Sequence, residues 1–440
     1  MSESPMTDRD SRRGFLTRLG QASALAALGP LVPEASADAL SPDRSAAPNG
    51  AVPPPASPLD EDGWKKIRGE FLPGGKTISI NAANMCPAPK SVVEAVIRAT
   101  RDVDTDVSYQ NRAEYNQLRD KVRERIAKLI NADGDEIAIV RNASEANNIV
   151  VGGLELERDD EVLLLDQNHP TNNVAWDVRA AQRGFQVRRI GFATAPTSQA
   201  EVLARFTAAV SPRTRVIAFS HVSNTTGLKV PASQLCRWAR ERGIYTHVDG
   251  AQTFAATPID VRDIGCDSYS VSAQKWLMGP REIGFLFVRS NRLDRIWPGV
   301  IGVGWGDRKD PAVKGARKFE TIGQRNDAAT AGLMAALEFH EKIGPVAMAE
   351  RIGVLTDRLV AGLRSHDIPL VTSTDPSLRL GVVVIQAEAA RAARMHEKLY
   401  RDHGIIGSNT GGLRLSPNVC VTLAEIDRVV MAVTRVYRDV

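Results

Sequence analysis

The chain has no block of lysine or arginine, no CxxC pair and few aromatic residues, and each absence closes a class of function. Its 56 basic and 52 acidic residues are interspersed and leave a net charge of +4, so nothing resembles a basic nucleic-acid-binding arm. The four cysteines, Cys86, Cys236, Cys266 and Cys420, stand singly. That argues against a thiolate metal site, and spacing alone assigns no disulfide pairing. The stretch Gly302-Val303-Gly304-Trp305-Gly306 is not a G-x-G-x-x-G after a strand, which disfavours a nicotinamide-binding oxidoreductase. With 43% hydrophobic, 25% charged and 5% aromatic residues, the composition excludes collagen-like, coiled-coil and wholly disordered classes. At 440 residues the chain fits one large domain plus a smaller one.

The amino terminus carries Ser11-Arg12-Arg13-Gly14-Phe15-Leu16, an apolar stretch to Leu31, and Ala35-Ser36-Ala37. This order resembles a twin-arginine export signal, cleaved after the small residues. The apolar segment is short and interrupted by glycine, which suits a signal better than the roughly 20-residue span of a bilayer. Such export carries folded proteins. The expectations are a partnership with the twin-arginine translocase, a ligand bound before transit, a periplasmic destination and a mature form without a membrane anchor. Residues 1–37 read as the signal peptide and 38–60, rich in Pro, Ala and Ser, as a disordered linker.

From Glu136 onward short apolar runs alternate with helical periodicity. EIAIV (136–140), EVLLLD (161–166), FQVRRIGF (185–192), RVIAFS (215–220), IYTHVD (244–249) and IGFLFVR (283–289) read as strands, and 232–242 reads as a helix. This is the βαβ pattern of a mainly parallel sheet covered on both faces, with its site at the carboxyl ends of the strands. A long helical stretch is expected from Asn326 to His366. It is followed by VVVIQ (382–386), a helix at 388–402, GLRLSP (412–417) and a last helix from Leu423. The expected division is a large α/β domain over 61–325, including the segment 61–90, and a smaller carboxyl-terminal α/β domain over 326–440.

What ends these runs carries the chemistry. After EIAIV comes Arg141-Asn142-Ala143-Ser144, small polar residues opening a helix whose N-terminus suits a phosphate; taken alone, the segment fits a plain capping box better. IYTHVD ends in Asp249-Gly250, a carboxylate on an apolar strand that needs a positive partner, or an ordinary Asx turn. Lys275 follows 26 residues later, within reach of the same crevice. There desolvation would lower its pKa from ~10.4 and make the amine nucleophilic toward an aldehyde; a lysine snorkelling from a strand edge is the alternative. Each signal is weak singly, and their joint order is not.

With INAANMCPAP (80–89), VRNASEANN (140–148), DQNHPTNNVAW (166–176), SHVSNTTG (220–227), HVDGAQ (247–252), SAQKWLMGP (272–280), FETIGQRN (319–326) and GLRLSPNVCVTLAEID (412–427), the chain resembles the class V aminotransferase family. These are pyridoxal 5'-phosphate (PLP) enzymes that include cysteine desulfurases, kynureninase and isopenicillin N epimerase-like proteins. The resemblance implies the PLP-dependent transferase fold type I, like that of aspartate aminotransferase. It implies that Lys275 holds the cofactor covalently and that Asp249 pairs with its ring nitrogen. His169 would stack on the ring, Gln252 and Asn224 would bond its hydroxyl, and Ala143, Ser144 and Ser272 would bind its phosphate. Gln324 would reach the phosphate of a second subunit in a homodimer, and Arg414 would clamp a substrate carboxylate, with Asn84 and Arg112 (in the loop 109–112) as further substrate-side candidates.

Two departures stand out. Gln274 replaces the family's phosphate-contacting histidine, and the 403–413 loop lacks the catalytic cysteine of the desulfurases. Cysteine desulfuration is therefore disfavoured, and Cys420 reads as a buried residue at a helix edge. The expected activity is an exported enzyme acting at the α-carbon of an amino-acid or peptide substrate. The specific expectation, by similarity to the exported branch that modifies pyoverdine-type siderophores, is transamination or oxidative decarboxylation of a glutamyl group. An epimerase or a carbon–sulfur lyase is the alternative, and a non-catalytic binding protein on the same fold is the rival from another class.

Overall fold

In a computed structural model, residues 59–72, 75–192, 195–303, 305 and 313–440 are described. The leader, nearly all of the linker, Gly304 and Gly306 lie outside them. The strands are β1 (Ile78–Ser79), β2 (Ile137–Val140), β3 (Glu161–Leu165), β4 (Gln186–Ile190), β5 (Thr214–Ser220), β6 (Tyr245–Asp249), β7 (Ser268–Ser272), β8 (Gly284–Val288), β9 (Val383–Ile385), β10 (Ile405–Ile406) and β11 (Leu413–Leu415). Seven of them form the central sheet, in the order β2-β8-β7-β6-β5-β3-β4. Neighbours run parallel except where β8 meets β7 and β2.

The apolar runs form strands because both faces of the sheet are covered. Alternate side chains enter two cores: Ile137, Ile139, Leu163, Leu165, Ile217 and Phe219 face one, while Ala138, Val140, Val162, Leu164, Val216 and Ala218 face the other. A period of two with apolar residues at every position is what a doubly covered sheet requires. At the edge, β4 keeps Gln186, Arg188 and Arg189 exposed, the charged rim that discourages a further strand from pairing there.

The long helical stretch departs from expectation in one respect. It is two helices, Asp327–Ile343 and Pro345–Ser365, because Gly344 takes φ 97° and Pro345 has no N–H to continue the ladder. Sequence periodicity also passed over two amino-terminal helices, Lys90–Thr105 and Tyr109–Leu129. The second begins at the residues expected to form a substrate loop: Ser108 caps it by accepting from the Asn111 N–H, so residues 109–112 are the first turn of a helix. Among the described residues no helix is long and apolar enough to cross a membrane.

Gly250 closes β6 where a β-carbon would lie 2.0 Å from the Tyr269 ring. That ring is fully buried and bonded through its hydroxyl to Thr253 at 2.6 Å, so it has nowhere to retreat. Gly250→Ala should therefore destabilise the chain by about 1–3 kcal/mol, as overpacking does, read as a lower denaturant midpoint at unchanged m-value.

Candidate active site

A cavity of about 420 Å³ opens at the carboxyl ends of the central strands. Lys275 enters it from a tight turn after β7. The Met278 N–H donates to the Lys275 carbonyl at 3.1 Å and the Gly279 N–H to the Ala273 carbonyl at 2.8 Å, while Met278 is held at φ 60°. A left-handed conformation at a non-glycine residue is costly, and the burial of Met278 holds it in place. The Lys275 amine ends among protein atoms, and its pKa falls to about 8; burial is the main cause, opposed by the Asp249 carboxylate and assisted by the Arg414 charge.

Asp249, the last residue of β6, is buried on the same cavity wall. One oxygen accepts from the Ala251 N–H at 3.0 Å and the other from the Asn147 amide at 3.1 Å. Its acceptor role fixes the Asn147 amide, whose oxygen then accepts from His247 Nε2 at 2.9 Å and from the Ser270 hydroxyl at 2.6 Å. With its proton on Nε2, His247 accepts from the Ser268 hydroxyl through Nδ1, at 2.8 Å. Burial lowers the His247 pKa to about 4, against the pull of Asp249, so the relay stays neutral. Among the described residues no cation pairs with Asp249.

At one end of the cavity, the helix Ala143–Gly153 presents its N-terminus. The Ala143 N–H donates to Ser272 Oγ at 2.8 Å, leaving the Ser272 proton free for a ligand, and Ser144 Oγ lies 3.4 Å from Thr171 Oγ1. His169 caps the next helix, with Nδ1 accepting from the Thr171 N–H at 3.3 Å. Burial, then the charge of Lys275, lowers its pKa.

At the other end Arg414 projects from β11, donating to the Asn224 carbonyl at 3.1 Å and facing Asn81 Oδ1 at 3.5 Å. It is buried without an acid partner among the described residues, and burial lowers its pKa to about 10. Three buried polar atoms here have no protein partner: Asn224 Oδ1, Gln274 Oε1 and Arg414 Nε. Left this way each would cost about 1–3 kcal/mol, so the cavity is built for a polar ligand.

The structure thus gathers Asn84, Ala143, Ser144, His169, Asn224, Asp249, Ser272, Gln274, Lys275 and Arg414 around one volume. Two residues expected here lie elsewhere. Gln252 turns away, donating to the Ala83 carbonyl and accepting from the Trp276 indole, both at 2.9 Å; its amide supports the walls instead of facing a ligand. Arg112 lies outside the cavity, hydrogen-bonded to Gln324 and facing Asp327 as well. Sequence reasoning missed Asn147, Thr171, Ser408 and Thr410. Asn147 was legible, since it lies one helical turn beyond Ala143 and so on the same face. Thr171 opens the helix Pro170–Arg183, and Ser408 and Thr410 lie in a loop; the placement of all three depends on packing. No metal-binding cluster of His, Cys, Asp or Glu occurs among the described residues.

A lysine and an aspartate at the strand ends of a mostly parallel sheet, beside a helix N-terminus, define the fold type I architecture of PLP-dependent enzymes. The aminotransferase class-V model matches residues 81–425, and the chain belongs to that family. It is 31% identical to isopenicillin N epimerase from Streptomyces clavuligerus over 83% of this chain and 96% of that one. It is 28% identical to a probable cysteine desulfurase from Xylella fastidiosa over 78% of this chain and 84% of the other. Among solved structures, a lysine-to-alanine variant of the cystine C–S lyase C-DES, with glycine covalently linked to its PLP cofactor, superposes with a TM-score of 0.75 at 23% identity, covering 83% of this chain and 98% of that one.

Because Asp249 raises the Lys275 pKa and Arg414 lowers it, Asp249→Asn should shift the Lys275 titration to lower pH and Arg414→Met to higher pH. The pH dependence of Lys275 labelling by a small aldehyde and a hydride reductant, quantified by peptide mass on cofactor-free protein, checks both signs.

Proposed function

We propose that this chain is a PLP-dependent enzyme that acts at the α-carbon of a substrate bearing a free amino group and a carboxylate. One observation carries the reading. Lys275, an Asp249 with no cation and an Arg414 with no acid line a single cavity in which Asn224 Oδ1 and Gln274 Oε1 also await partners.

The residues present fit the cofactor. The Lys275 amine would hold its aldehyde carbon, Asp249 would face its ring nitrogen, and His169 would lie against its ring. Ala143, Ser144 and Ser272 would take its phosphate, and the orphaned Oδ1 of Asn224 would accept from its ring hydroxyl. When bound, pyridoxal phosphate draws off the electron pair of a bond broken at the substrate α-carbon.

The protein's own part follows from its charges. Arg414 binds the substrate carboxylate and sets which α-carbon bond faces the ring. Lys275 Nζ, its pKa lowered by burial to about 8, can both accept and return a proton. Asp249 needs a cation, and the neutral Asn147–His247 relay supplies none, so the carboxylate keeps its charge for the ligand. The lack of a cysteine at 403–413 argues against desulfuration.

The twin-arginine leader supports placing this activity in the periplasm, on an exported peptide whose glutamyl group is transaminated or oxidatively decarboxylated. Epimerisation is the second reading, favoured by the 31% identity to an isopenicillin N epimerase. A homodimer is supported by the exposed apolar side chains of Trp297, Val300, Ile301 and Val303, close in sequence to Gln324.

Purified protein should absorb near the visible edge, and Lys275→Ala should lose that band; colourless protein that takes up no cofactor overturns the reading. Turnover of candidate peptides in deuterium oxide separates the reactions: α-deuterium with inverted configuration marks an epimerase, a keto product a transaminase, and carbon dioxide with oxygen uptake an oxidative decarboxylase. Arg414→Met should weaken carboxylate binding by about 1.5–3 kcal/mol, a rise in KM of roughly 10- to 150-fold.

A further inference from the structure

Four cysteines allow three pairings, and spacing selects none; the fold does. Cys86 and Cys420 stand 334 positions apart in the chain, yet their Sγ atoms lie 3.7 Å from each other. Cys236 and Cys266 are also buried, and burial, helped by the Cys236 thiol, raises the Cys266 pKa, but no sulfur–sulfur hydrogen bond joins them among the described residues. Covalent closure would bring the two sulfurs together by less than about 2 Å.

The pair is reachable and well placed. Cys86 and Cys420 are only 5% and 4% exposed, but both line a second cavity of about 580 Å³, apolar-walled by Phe71, Met85, Ile97 and Ile406. Around them the chain grips the Lys275 turn from both sides. The Cys86 N–H donates to the Gln274 carbonyl at 2.9 Å. The Asn418 amide donates to the Trp276 carbonyl at 3.1 Å and lies 3.6 Å from Cys86 Sγ. Gln274 and Trp276 are the residues that flank Lys275.

We propose that Cys86 and Cys420 are a disulfide-forming pair that clasps the Lys275 turn between the amino-terminal segment and the segment leading into the last helix. The proposal rests on the thiol geometry and stands whether or not the cofactor reading holds.

Closure proceeds by exchange with a low-molecular-weight disulfide such as oxidised glutathione. One cysteine thiolate attacks a reagent sulfur, forming a mixed disulfide and releasing one glutathione thiolate. The second cysteine sulfur then attacks the protein sulfur of that mixed disulfide and releases the other glutathione. The two cysteines give up two protons and two electrons, which leave on two molecules of reduced glutathione. Burial, with the neighbouring thiol, holds the Cys86 pKa well above the ordinary thiol range, so the exchange is slow and is followed to its end point.

The test uses the purified full-length chain. After incubation with oxidised glutathione its intact mass should fall by two hydrogens, two of the four thiols should resist alkylation under denaturing conditions, and digestion should yield one linked peptide pair carrying residues 86 and 420. Cys86→Ser and Cys420→Ser, each keeping the parent far-ultraviolet spectrum, should abolish the link. The linked chain should melt above the Cys86→Ser variant in oxidant, and that margin should vanish in reductant. Four alkylated thiols, a lasting glutathione adduct in place of the link, a link through Cys236 or Cys266, or a melting margin that reductant leaves unchanged overturns the proposal.

Discussion

A lysine amine and an aspartate carboxylate share one wall-to-wall polar cavity without neutralising each other, and the rest of the site is arranged around that fact. Burying a charge without a partner costs far more than exposing it, so the fold would not bury Asp249 at the end of β6 and Arg414 on β11 unless something else meets them. Lys275 relieves part of the cost by a lowered pKa. Asp249 has only neutral donors, and Arg414 only amide and carbonyl oxygens. The unbalanced charges and orphaned amide oxygens describe the ligand by its complement: a cationic ring atom, an anionic group near a helix N-terminus, and a carboxylate at the far end.

The support for this arrangement is rigid and buried. Asp249 orients Asn147, Asn147 sets the His247 tautomer, and His247 orients Ser268, each through a bond of 2.8–3.1 Å. Such a chain spans β6, β7 and the helix Ala143–Gly153, so the carboxylate is aligned by three elements. Because His247 remains neutral, the alignment adds no charge that would compete for Asp249. On the opposite side, Gln252 joins the Ala83 carbonyl to the Trp276 indole. It holds the turn carrying Lys275 against the amino-terminal segment, a structural task where a ligand contact had been expected.

The expectation of an α/β protein of fold type I was legible because periodicity is local: apolar runs of five residues bounded by turn formers can be read without knowing what covers them. Lys275 and Asp249 were legible too, since each ends such a run and parallel strands carry their sites at those ends. The division of the long helix at Gly344 could have been read from the Gly-Pro pair. The two amino-terminal helices were harder to see, because Tyr109–Leu129 is largely polar, with buried residues only in its second half.

Local pattern therefore determined the strands, most helices, and the lysine and aspartate at the strand ends. Tertiary structure alone decided that Arg414 meets them, through the pairing of β11 with β9 and the Ser408 bridge. It also decided that Gln252 turns away from the cavity, that Arg112 bonds Gln324, and that Cys86 lies against Cys420. The physical reason is range: backbone preference is set by neighbours within a turn or two, whereas contacts across hundreds of residues exist only once both cores have packed and fixed which faces meet.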